Sequence, residues 1–244
     1  MTLLTDAIAW IFASEQWSGD GALPFLFFEH LWLTAVGVIA AAIIAAPAGW
    51  LIGHTGRGRE IAVGLTGAAR AVPSFGLLLL LVLLFGVLHK PEAAIVTFVI
   101  LAVPSLLAGA YAGLEAIDRQ TVEAARAVGM SEWQIFFRVE LPLSLPLLIG
   151  GLRSATLQVV ATVTIAAYVN LGGLGMPIIT GLALRRYDMV LGAAILVALL
   201  ALAIDGVLAI TQRFATPRGV RAGRGTVRRE RRRLAASVRQ HTSA

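Results

Sequence analysis

Apolar residues in this chain run almost unbroken for some twenty positions at a time and then give way to short charged stretches, as in "LLLLLVLLFGVL" followed by His89 and Lys90. A helix needs about 20 mostly apolar residues to cross roughly 30 Å of hydrocarbon. Five runs qualify, at about 31–53, 71–88, 93–114, 143–168 and 190–212. The pattern predicts an all-α, polytopic membrane helix bundle of about five transmembrane helices. Trp32 and Trp50 fall near the ends of the first span, where indoles favour the interface. Pro73 fits the first turn of the second, and Pro104 is tolerated at mid-depth in the third. Residues 1–30, with "AIAWIFA", read as a short external amphipathic segment that cannot span.

Composition strengthens this picture and narrows the chemistry. The chain of 244 residues is 58% hydrophobic and 14% charged, which excludes a water-soluble domain. It has no cysteine, so disulfides, thiolate zinc sites and a cysteine nucleophile are excluded. His30, His54, His89 and His241 lack metal-ligand spacing, so no metal is expected. No signal peptide is apparent, since Arg57 is the first positive charge. With the amino terminus outside, the inner segments hold Arg57, Arg59, Arg70, Arg119, Arg126, Arg138 and ten arginines of a basic cytoplasmic tail at 213–244. The outer segments hold Lys90, Arg185 and Arg186, and this positive-inside imbalance orients a multi-pass membrane protein. The tail is expected to rest on anionic lipid; without interleaved aromatic residues it does not predict a nucleic-acid partner.

One charged, amphipathic interruption, residues 115–142, lies in the cytoplasm under this orientation. Asp118 can cap a helix over about 119–128, and Gly129 suits the left-handed position just past its end. Ser131 and Gln134 have capping-box spacing for a second helix, which Pro142 is expected to close. Trp133, Phe136, Phe137 and Leu141 would form its apolar face, opposite Glu132 and Arg138. Two short helices bent around a glycine make either a docking knob or an ordinary interfacial loop.

The residues Glu123-Ala124-Ala125, Gly129, Val139 and Leu141-Pro142 resemble, at matching spacing, the EAA loop of ABC importer permeases, EAA-x3-G-x9-I-x-LP, with valine for isoleucine at 139. The resemblance implies a permease that is not itself an enzyme, whose loop seats in a cytoplasmic ATP-binding subunit with Glu123 and Gly129 central to the contact. The only lysine, Lys90, follows His89 and cannot belong to a Walker A loop, so ATP would be hydrolysed by that partner and no cofactor is expected here. "TLQVVATVTIAAYVNLGGLG" and "VPSFGLLLLL" are similar to segments of the osmoprotectant branch, which imports glycine betaine, proline betaine, carnitine or choline. That branch implies a second permease chain, identical or paralogous, and an extracytoplasmic substrate-binding protein that carries the selectivity. The methionine permease branch shares the layout. A secondary transporter or a structural membrane adaptor is the rival class, disfavoured by the dedicated knob and by the polar positions of the fourth span.

Ser154, Gln158 and Thr162 recur every four residues there and are candidates to line a translocation path, or to hydrogen-bond between helices. Arg153 and Asp205 are the ionisable residues well inside spans; they lie at comparable depth and could clamp the fourth and fifth spans together. The glycine cluster at 170–175 lacks a following lysine and reads as a tight turn.

Overall fold

The computed structural model describes residues 2–19 and 21–216, so the basic tail lies almost wholly outside the described residues. Among those described there is no strand. The helices are α1 (Leu3–Phe12), α2 (Leu23–Thr55), α3 (Arg59–Ala71), α4 (Ser74–Phe85), α5 (Lys90–Glu115), α6 (Arg119–Ala127), α7 (Glu132–Ile135), α8 (Leu141–Ala166), α9 (Met176–Leu184) and α10 (Tyr187–Ala215).

Four stretches are long and apolar enough to cross a membrane: Leu23–Thr55, Val87–Glu115, Glu132–Val169 and Tyr187–Ala215. The fifth expected span, 71–88, is instead represented by α4. Its 12 residues reach about 18 Å at 1.5 Å each, short of the hydrocarbon thickness. The cause is punctuation within the apolar run. Pro73 drives Val72 to an extended ψ of 124°, so the helix starts after the proline rather than carrying it in its first turn, and Gly86 at φ 89° ends it. The residues before it, expected as a loop, form α3, which buries Ala62 and Thr66 one turn apart.

The amino-terminal segment also differs from its expected outline. The first span begins at Leu23 rather than about 31, and α1 packs along α10 with Ala7, Trp10 and Ile11 buried. Gly192 of α10 leaves room for the Trp10 ring.

At the centre, α5 packs along both α2 and α8 through small residues. A β-carbon on Gly49 would lie 2.5 Å from that of Ala110, and one on Gly37 2.7 Å from that of Phe98. On the other side, Gly109 faces Gly151 and Gly113 faces Ser144. Lipid offers no hydrophobic drive between helices, so close backbone approach through such residues supplies the packing. At the end of the bundle away from the knob, α8 leads through the glycine turn into α9, where a loop alone was expected.

Candidate functional site

The knob between α5 and α8 is built by local rules. The Asp118 carboxylate accepts from the Gln120 backbone N–H at 2.9 Å, capping α6. Gly129 sits at φ 86°; its N–H donates to Arg126 O and that of Met130 to Ala125 O, the Schellman pattern. Ser131 and Gln134 form the capping box of α7. Across the turn, Arg126 donates to both oxygens of Glu132 at 2.8 and 3.0 Å, which holds the guanidinium above its ordinary pKa. Glu123, Ala124 and Gly129 are exposed, Ala125 is buried, and Leu141 and Pro142 are half-buried.

Pro142 does not close the second helix. A π-turn over Phe136–Glu140 joins α7 to α8, and Leu141 N–H donates to Phe136 O five residues back. Pro142 follows directly after this π-turn, whose shifted hydrogen bonding accommodates its missing donor. The expected apolar face is also redistributed. Ile135 is fully buried, whereas Trp133 and Phe137 stack on the outside with ring centroids 6.0 Å apart.

Two residues outside the sequence-based site fasten this knob to the bundle. Glu140, 7% exposed, shares a hydrogen bond with His54 Nδ1 at 2.6 Å, and His54 Nε2 lies 3.9 Å from Glu132. Phe136 meets the Trp50 and His54 rings edge-on, both at 6.0 Å. A cleft of about 490 Å³ opens beside the pair, lined among others by Arg59, Glu115, Arg119 and Glu123. No spacing rule links two residues 86 positions apart, and the only sequence signal is a glutamate at a position the EAA pattern leaves free.

Within the membrane-spanning part, Arg153 on α8 and Asp205 on α10 meet in a two-pronged pair, Nε to Oδ1 and Nη2 to Oδ2, each 2.8 Å. Gln212, absent from the sequence-based set, accepts from Arg153 Nη1 at 3.0 Å and donates to Pro146 O at 2.6 Å. The polar stripe divides. Ser154 and Gln158 are exposed on α8, whereas Thr162 is 1% exposed and donates to Gln158 O at 2.8 Å. Steps of four residues precess by about 40° in a helix of 3.6 residues per turn. Thr162 has therefore turned away from Ser154, and the exposed line continues through Ala161 to Tyr168.

At the opposite end of α2, the glycine turn wraps a carboxylate. Asn170, Gly172 and Gly173 all have positive φ, and Gly173 N–H donates to Glu29 Oε2 at 2.7 Å. His30, fully buried, bonds Val160 O through Nε2 at 3.2 Å. Among the described residues no group of three or more metal-ligating side chains occurs.

Comparison with known proteins bears on these features. Residues 37–218 match the family described as binding-protein-dependent transport system inner membrane component. The glycine betaine/carnitine/choline transport system permease protein OpuCB of Bacillus subtilis is 31% identical over 203 residues, 83% of this chain and 93% of that one. The carnitine transport permease protein OpuCB of Listeria monocytogenes is 32% identical, over 81% of this chain and 89% of its own. The osmoprotectant import permease protein OsmW of Salmonella typhimurium is 33% identical, over 82% and 95%. Among solved structures, an inward-facing form of the MetNI methionine ABC transporter superposes with a TM-score of 0.69 at 23% identity, covering 80% of this chain and 96% of that one. That likeness is one of fold.

Proposed function

Since the chain belongs to the family of binding-protein-dependent transport system inner membrane components, we propose that it is the permease subunit of an ATP-driven importer of betaine-type quaternary ammonium osmoprotectants. The observation that carries the solute class is the group of relatives named for glycine betaine, carnitine and choline, each about 30% identical along most of both chains. The coupling role is supported by the exposure of Glu123, Ala124 and Gly129 on a knob that is otherwise tightly capped. In this reading the ATP-binding subunit grips the knob from the cytoplasm, hydrolyses the nucleotide and delivers its closure as a push. A second permease chain completes the path, with Ser154 and Gln158 of α8 facing it. The solute arrives from a binding protein on the outer side.

The test is uptake of radiolabelled glycine betaine by cells lacking other betaine systems and carrying the complete operon, with wild-type permease or Gly129→Asp. Uptake that the substitution abolishes at unchanged membrane levels supports both the solute class and the coupling knob. Wild-type uptake of methionine but not betaine moves the chain to another solute class, and undiminished uptake in the variant removes the docking role.

A further inference from the structure

We propose that the His54–Glu140 hydrogen bond is the joint through which the coupling knob moves α2, which makes both positioning residues for transport. The inference rests on the ATPase-docking reading above. The knob needs no joint to α8, because α7, the π-turn and α8 form one continuous helix. Helix α2 has no such covalent link. The surface it shares with α5 is close packing through Gly37, Gly49 and Gly53, which is apolar at these points. A polar tie at the knob end of α2 adds a directional contact to that packing.

The tie has the character of a fixed contact. Glu140 is nearly sealed from solvent, and a buried carboxylate without a partner is strongly unfavourable. Among the described residues its polar partner is His54. It sits in a π-turn, whose extra residue redirects side chains and which recurs at functional sites. Phe136 wedges against Trp50 and His54 beside it, while Glu132, bonded to Arg126, approaches the other nitrogen of His54. α6, α7, the π-turn and the last turn of α2 thus share one network.

The far end of α2 gives the joint something to move. Glu29 holds the Gly173 N–H, so a displacement of α2 reaches the glycine turn directly, while His30 bonds Val160 O within α8.

The decisive measurement is ATP hydrolysed per glycine betaine taken up, with the complete complex of permease, ATPase and binding protein in proteoliposomes. His54→Leu should raise that ratio about tenfold, the fold-change to which loss of a hydrogen bond to a charged group corresponds. His54→Gln, which retains a donor, should recover most of the wild-type ratio; a merely structural role would lower uptake and hydrolysis together and leave the ratio unmoved. An unchanged ratio in His54→Leu overturns the joint. Should that variant not assemble, Glu140→Met, which can neither donate nor accept at that position, carries the test, and a wild-type ratio there overturns the proposal equally. Wild-type permease that does not co-purify with the ATPase subunit sinks the docking reading itself. Normal co-purification with unmoved ratios sinks the joint alone.

Discussion

Two glycines show how differently a missing β-carbon can be used. At Gly129 a β-carbon would meet nothing within 4 Å, but the φ of 86° is one that side chains resist. Forcing an ordinary residue there costs about 1–2 kcal/mol. Gly129→Ala should therefore weaken the turn and reduce co-purification with the ATPase subunit several-fold, while Gly129→Asn, which tolerates this conformation, should lose less. A pull-down comparing the two separates backbone strain from lost contact. At Gly172 the constraint is also steric, because a β-carbon would overlap the Glu29 carboxylate. Gly172→Ala should abolish uptake while leaving ATPase co-purification intact, since the turn lies at the far end of α2 from the knob. Parallel loss of both readouts would contradict that assignment.

At the scale of elements, α8 and α10 are joined by charge. Removing either member of the Arg153–Asp205 pair leaves the other without its main partner, and both side chains are about 30% exposed. Within a membrane span an isolated charge is costly, so each single loss should be measurable. Losses for Arg153→Ala and Asp205→Ala should fall short of adding in the double variant, as thermal unfolding in detergent would show; additive losses would mean no clamp. What the sequence discloses at this scale follows from range. The Asp118 cap, the Gly129 turn and the Ser131–Gln134 box are rules over three or four residues and can be read directly. The π-turn has no such rule: Pro142 reads as a stop because the extra residue that accommodates it is invisible in composition. Likewise "LLLLLVLLF" reads as a span when only the apolar run is counted, although Pro73 and Gly86 cut it to 12 residues. Gln212, Glu29 and His54 have partners so distant in the chain that no periodicity points to them.

The molecule as a whole can be oriented by experiment because it contains no cysteine, so any introduced one reports alone. Val128, 79% exposed, lies on the knob, and Leu88, 92% exposed, follows α4 at the other end. In intact cells a membrane-impermeant maleimide should label Leu88→Cys and spare Val128→Cys, with both labelled after permeabilisation. The reverse would invert the orientation drawn from arginine placement. The π-turn has a last consequence at this scale. Because knob and α8 form one helix, the number of residues between Gly129 and Leu141-Pro142 sets an angle as well as a distance. The π-turn over Phe136–Glu140 already absorbs one residue, so a residue added or removed in the regular helix beside it would swing the knob by about 100° around the α8 axis. The fixed spacing of this loop is thus a phase setting, and natural length variants of it should be rarer than substitutions.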